Sequence, residues 1–151
     1  MRVLVSSTLP ISAQTAWSLV RKSSTLLYVT KGLLGFRALD ASLPSVWKEG
    51  KTERLRILLF NVIPAWEHRI KFQEISDSDW KLLTYESGGV INTWNHLITI
   101  KMQTNQSCTY TDEVEIKAGV FTVFVYLYAQ IFYRYRQRRW KRLARQCDKV
   151  T

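Results

Sequence analysis

Residues 118–140 read Ala-Gly-Val-Phe-Thr-Val-Phe-Val-Tyr-Leu-Tyr-Ala-Gln-Ile-Phe-Tyr-Arg-Tyr-Arg-Gln-Arg-Arg-Trp, and the fold turns on this stretch. From Ala118 to Tyr133 only Gly119, Thr122 and Gln130 interrupt an apolar run of 16 residues. Basic residues then crowd the chain end: Arg134, Arg136, Arg138, Arg139, Lys141, Arg142, Arg145 and Lys149 against Asp148, a net +7 of the chain's +10. A membrane span followed by a positive cluster would satisfy the charge rule. Sixteen residues, however, make a helix of about 24 Å against a hydrocarbon core of about 30 Å. A nucleic-acid arm needs a reading motif, and none accompanies these arginines, so nucleic acid is not an expected partner. The expected structure is a long C-terminal helix with a buried first half and cationic last turns, a charge placement the helix dipole favours. Phe121, Phe124, Val125, Tyr128, Phe132 and Tyr135 fall near one side of it at helical spacing, as core or cavity wall.

A helix this apolar needs a surface to pack on, and the residues before it supply one. Cys108, Tyr110, Asp112, Val114 and Ile116 alternate with Thr109, Thr111, Glu113 and Glu115, the period of a strand with two different faces. Trp94, His96, Ile98 and Ile100 form a second such face, and Trp66, His68, Ile70 and Phe72 a third. Thr104–Gln106, Gly88-Gly89, Ser76–Asp79 and Asn61–Pro64 read as the turns between strands, with Lys81–Glu86 and Thr52–Phe60 as further strands. Nearer the N-terminus, residues 2–8 read as a strand. Ser12 N-caps a helix carrying Ala13, Ala16, Trp17 and Val20 on one stripe, and a second helical piece covers Ser24–Tyr28. A strand near Phe36–Leu39 and a loop over Asp40–Gly50 complete the chain. An antiparallel sheet with one solvated face must bury the other. A curved α+β arrangement of six or seven strands around the C-terminal helix, with two short helices after the first strand, is the economical solution.

Composition agrees with one domain, which we place at residues 1–146 with a short tail over 147–151. The chain has 151 residues, 46% hydrophobic and 13% aromatic, with six Trp; that length suits a single core without staples. The aromatic load predicts a dense interior or an aromatic-lined hollow. Cys108 and Cys147 show no metal or redox spacing and read as free thiols in a reducing compartment. The N-terminal run has too short an apolar core for a signal peptide, and the expected location is cytoplasmic.

The ordered set of motifs resembles the helix-grip fold of the SRPBCC superfamily. That superfamily includes START domains, the birch-pollen-allergen family and bacterial polyketide cyclase-like proteins. The stretches that carry the resemblance are Ile11–Gln14 with Trp17, Ile63–His68, Glu86–Gly89, Trp94–His96, Tyr110–Glu113 and Phe132–Trp140. The resemblance spans nearly the whole chain and implies a cavity between the concave sheet and the C-terminal helix, suited to a small hydrophobic or aromatic molecule. No cofactor is implied. Because such folds host many functions, the activity must be argued from the site.

Candidate site residues are the polar groups on the inward faces. Pairing about Gly88-Gly89 places Glu86 near Asn92 and Leu82 near His96. Pairing about Thr104–Gln106 places Asp112 across from Ile98, diagonal to His96. Pairing about Ser76–Asp79 places Glu86 across from Ile70, diagonal to His68. Buried carboxylates need partners, and His96–Asp112 and His68–Glu86 are the natural pairs. Trp66, His68, Glu86, Asn92, Trp94, His96, Asp112 and Tyr128 are therefore the expected ligand contacts. The histidines lie on separate strands with no local ligand spacing, so no metal is expected. The leading expectation is a lipid- or polyketide-like ligand bound in the cavity. An alternative is cyclase/aromatase chemistry with His96 and Asp112 as acid–base candidates. A second alternative is lipid handling at an anionic membrane surface reached through Arg138, Arg139 and Arg142.

Overall fold

Alternating residues become strands wherever one face can be buried, and here they make one sheet. The computed structural model describes residues 1–148. In chain order the elements are β1 (Arg2–Leu9), α1 (Ala13–Val20), α2 (Ser23–Thr30), β2 (Leu34–Ala38), β3 (Thr52–Leu59), β4 (Ile63–Ser76), β5 (Lys81–Gly88), β6 (Ile91–Thr104) and β7 (Ser107–Lys117). A 3-10 turn, Gly119–Phe121, then leads into α3 (Thr122–Asp148). The sheet order is β1-β7-β6-β5-β4-β3-β2, every pair antiparallel. Irregularities at Arg56/Leu58, Phe72/Glu74 and Glu86/Gly88 add the local twist by which bulges bend strands. This is the helix-grip arrangement expected from the sequence, with seven strands. Ser12 caps α1 by accepting from the Thr15 amide at 3.1 Å, and Ala13, Ala16, Trp17 and Val20 are its buried stripe.

The long helix departs from expectation. Its buried residues are Ala129, Phe132, Tyr133, Arg136, Gln137, Trp140 and Ala144, whereas Phe124 is 72% exposed and Ile131 68%. The first half is thus largely solvent-facing, and Phe121, Phe124 and Tyr128 lie outside the packed stripe assigned to them. An element apolar on every side carries no phase information. The phase is set further along, where Trp140 lies 4.7 Å from the Tyr110 ring and the Trp94 indole donates to the Tyr133 hydroxyl at 3.1 Å.

Nor is the basic run uniformly solvated. Arg136 is buried. Arg139, expected to face a membrane, instead donates twice to the Tyr28 carbonyl, at 3.2 and 3.0 Å, and lies 4.3 Å over that ring. Arg138 and Arg142 remain exposed. Helix α3 is described through Asp148; residues 149–151 of the expected tail lie outside the described residues. No helix among the described residues is long and apolar enough to cross a membrane.

Candidate functional site

Period-two alternation brings His68, Glu86, His96 and Asp112 to the concave face, each from a different strand. Register then makes them neighbours: Ile70 pairs with Glu86 and Ile98 with Asp112, as the turns predict. The β5–β6 hairpin does not follow the expected count. Glu86 lies opposite Trp94, Thr84 opposite His96 and Leu82 opposite Ile98, because the turn is Gly89-Val90 rather than Gly88-Gly89, closed by the Gly88–Ile91 pair, and the ladder shifts by one more residue between Gly88 and Glu86. Glycine is required at both positions: at Gly88 a Cβ would sit 2.3 Å from the Glu67 carbonyl oxygen, and Gly89 has φ +57° and packs under the Trp66 ring. Only a residue without a side chain allows both approaches.

The polar groups form one continuous chain. His68 Nε2 meets Glu86 Oε2 at 3.0 Å, and the Thr84 hydroxyl donates to Glu86 Oε1 at 2.6 Å. His96 Nδ1 lies 3.9 Å from Glu86 Oε1. On its other side His96 Nε2 is 2.8 Å from Asp112 Oδ1. Asp112 also accepts from the Tyr110 hydroxyl at 2.9 Å and from Gln137 Nε2 at 2.8 Å. Arg136 donates to the Tyr110 hydroxyl at 3.1 Å and stands 3.7 Å from Asp112. Strands β4 to β7 are thereby tied to α3 through hydrogen bonds rather than apolar contact alone.

Burial sets the electrostatics. Burial alone would push the Asp112 carboxyl up; the Arg136 charge, His96 and the Tyr110 hydroxyl outweigh it and hold the group below the ordinary carboxylate range. Glu86 behaves likewise: burial pushes it up, and His68, His96 and Thr84 bring it below the usual value. Burial also raises the Tyr110 and Tyr133 phenols, which stay protonated, Tyr110 donating to Asp112 and Tyr133 accepting from Trp94. Arg136 would lose basicity from burial, but Tyr110, Asp112 and Tyr133 hold its charge firmly.

Above this chain lies a cavity of about 100 Å³ that is partly open to solvent. Of the expected contacts, Trp66, His68, Glu86, Trp94 and His96 line it. Asp112 does not; it is fully buried behind His96. Asn92 is exposed near the start of β6 and Tyr128 is 41% exposed, stacked outside on Phe132. The register shift removes Asn92, and the phase of α3 removes Tyr128. Arg136 and Tyr133 line the cavity without having been singled out, as do Trp47, Val29 and Phe36 from the first half of the chain. One signal could have found Arg136: counting back four residues from Trp140, the aromatic beyond the apolar run. Among the described residues, the buried Trp66 Nε1, Trp140 Nε1 and His68 Nδ1 have no hydrogen-bond partner, and no group of three or more His, Cys, Asp or Glu could hold a metal ion.

No protein-family profile matches the sequence, and no curated protein matches it significantly. Solved structures do match. A START superfamily protein from Mycobacterium smegmatis aligns with a TM-score of 0.72 at 13% identity, over 97% of this chain and 98% of that one. Norcoclaurine synthase from Thalictrum flavum, in complex with dopamine and hydroxybenzaldehyde, gives 0.69 at 11% identity over 97% and 87% of the two chains. The di-domain ARO/CYC BexL gives 0.67 at 12% identity over 94% of this chain and 45% of that one. At such identities the likeness is one of fold, the helix grip.

Proposed function

We propose that this protein binds a small ring-bearing hydrophobic molecule in the cavity between the sheet and α3. The observation that carries this reading is an aromatic-walled hollow edged by buried donors that have no acceptor in the protein. Trp66 and Trp140 both line the cavity, and both indole nitrogens lack a partner. Buried polar groups are nearly always satisfied, so a ligand with an acceptor oxygen would complete them. Size selects the class further. A cavity of about 100 Å³ is near the scale of cavities that take a single aromatic ring, and well below the roughly 300 Å³ of an ordinary drug-sized pocket. One ring would fill such a space and the rest of the molecule would reach out through its open side, which suits a polyketide-like aromatic better than a fully enclosed lipid. The START neighbour and the two enzymes named above share this fold, and support a ligand-binding use of it.

A second reading is catalytic. Glu86 and His96 both border the cavity, and Asp112 stands behind His96 as an orienting group, a base–orienter arrangement that acid–base catalysis uses. In it Asp112 would position rather than touch the substrate. The fold is also that of norcoclaurine synthase and of an ARO/CYC protein, both named for chemistry on aromatic molecules.

Native mass spectrometry of protein purified from its own host would identify a retained molecule. Tryptophan quenching would then rank a series of fused-ring ketones and acids, since Trp47, Trp66, Trp94 and Trp140 all line the cavity. Binding should weaken about tenfold in His96→Ala, the size of one lost polar contact. Loss of turnover with affinity retained in that variant would select the catalytic reading. No retained mass and no quenching by any of the series would overturn both.

A further inference from the structure

Exposed apolar side chains are normally scattered over a protein surface; here they gather at one end. Phe60 and Val62 form the β3–β4 turn with Ile63 beside them, and Val90 forms the β5–β6 turn. Val120, Phe121, Val123, Phe124, Leu127 and Ile131 surround the start of α3, and every one of these residues is at least half exposed. The ladders place the segments together. Leu34 pairs with Leu59, His68 with Gly88, Gly88 with Ile91 and Thr93 with Lys117, so both turns and the entry to α3 share one edge of the molecule.

Two further observations mark this edge. The first is backbone strain: Phe60 has φ +52° and Asn61 φ +66°. Asn tolerates that conformation, but a bulky aromatic rarely adopts it. Phe60 keeps it while 62% exposed, held by the bond from its amide to the Leu33 carbonyl at 2.9 Å. The second is charge. Residues 31–39, 55–66, 87–111 and 116–147 contain no Asp or Glu. Lys31 and Arg134, both exposed, stand around the apolar end, and Lys117 beside them is paired with Glu115 at 3.5 Å. Beyond Arg134 the outer stripe of α3 continues through Arg138, Lys141 and Arg145 at three- and four-residue spacing, directly in line with Phe124, Leu127 and Ile131.

We propose that this end of the molecule docks on an anionic lipid bilayer, with the two turns and the first turns of α3 entering the interface. Amphipathic segments bury their apolar side about 5–10 Å into the headgroup boundary. Arg134 follows Phe124 by ten residues, about 15 Å along the helix, so its charge comes level with the phosphates when the tip is immersed. The surface is not the basic triad of the sequence reading. It is an apolar cap collared by cations, and Arg139 has no part in it. The cap adjoins the cavity mouth: Leu34 and Trp66, both partly exposed, line the cavity and are neighbours of the two turns. Docking would therefore turn the mouth toward the lipid. The proposal does not require the cavity to be occupied.

The test is co-sedimentation with vesicles of phosphatidylcholine alone and of phosphatidylcholine with phosphatidylglycerol. The protein should pellet with the anionic vesicles. Replacing Phe124 and Leu127 together by Ser should lower that partitioning about tenfold or more, given the apolar area withdrawn from the interface. Met102→Ser, an exposed apolar change at the opposite end of β6, should leave it unchanged. All these positions are solvent-facing, and circular dichroism verifies the fold. Failure to pellet with either vesicle would overturn the proposal. So would pelleting that the Phe124/Leu127 change leaves intact while neutralising Arg138 and Arg142 abolishes it, because the contact would then be purely electrostatic. A dimer in solution broken by the same Ser variant, without vesicle binding, would assign the cap to a second copy instead.

Discussion

Replacing Arg136 by Met should destabilise the protein strongly and in a pH-dependent manner. Arg136 is buried with its guanidinium 3.7 Å from the fully buried Asp112. With an effective dielectric constant of about 20, Coulomb attraction at that separation is about 4–5 kcal/mol. Met keeps most of the packing volume but leaves a buried carboxylate short of its cation, a loss that typically costs about 3–5 kcal/mol. For a chain of this size that is a fall in Tm of about 6–20 °C. The sign with pH follows from Asp112. In the native protein its carboxyl is held below the ordinary value. Its contribution is therefore present above the unfolded value near pH 3.9 and lost as pH falls through the lowered folded value. In the variant, burial is no longer outweighed by the guanidinium. The folded value then moves above the unfolded one, and a penalty builds as pH rises from about 3.9 toward it and is complete beyond it. The gap between the two proteins should be smallest in acid, below the unfolded value of about pH 3.9, and full by pH 7. Urea unfolding across that range measures it, and adding Asp112→Asn to Arg136→Met should recover roughly half or more of the loss at pH 7. A cost below about 1 kcal/mol, or a gap that does not change with pH, would refute the assignment of Arg136 as the partner that keeps Asp112 ionised.

Two other outcomes follow from the turns. Gly88→Ala should cost about 2 kcal/mol or more in chemical denaturation, because the new Cβ meets the Glu67 backbone oxygen at 2.3 Å. Gly50→Ala, where φ is +78° but nothing lies within 4 Å, should cost only about 1 kcal/mol. Phe60→Gly should stabilise the isolated protein by up to about 1 kcal/mol by relieving the left-handed backbone, while weakening its pelleting with anionic vesicles.

The strands were legible because each carries its own evidence of burial. His68, Ile70 and Phe72 are buried and Arg69, Lys71 and Gln73 exposed, and no tertiary information is needed to see that pattern. The pairs Ile70–Glu86 and Ile98–Asp112 followed from counting residues around turns. Counting failed at Glu86–Asn92, because the turn falls on Gly89-Val90, one residue beyond the glycine pair, and the ladder slips by another residue beside Gly88. It also gave Asn61–Pro64 as a turn where β4 already begins at Ile63. The phase of α3 could not be read from an all-round apolar run. The same ambiguity hid Arg136, since a charge inside a basic cluster reads as solvated unless its acidic partner, 24 residues earlier in the sequence, is known to face it. The pairs His68–Glu86 and His96–Asp112 were found because a buried carboxylate demands a partner and a histidine on the next strand can supply one.

The sheet order has a consequence for how the chain is made. Its first strand pairs with its last, Ser6 bonding to Thr111 at a separation of 105 residues. Contacts so distant in sequence form slowly, and during synthesis β1 must wait, unpaired, for β7. The concave face waits longer still. At about 5–20 residues per second, the stretch from Lys117 to Ala144 takes about one to five seconds to emerge. In that interval seven strands could be paired while Trp94, Ile98 and Tyr110 still lack the helix that covers them. The nascent domain is thus open along the wall where its ligand would sit, and the final turns of α3 close it.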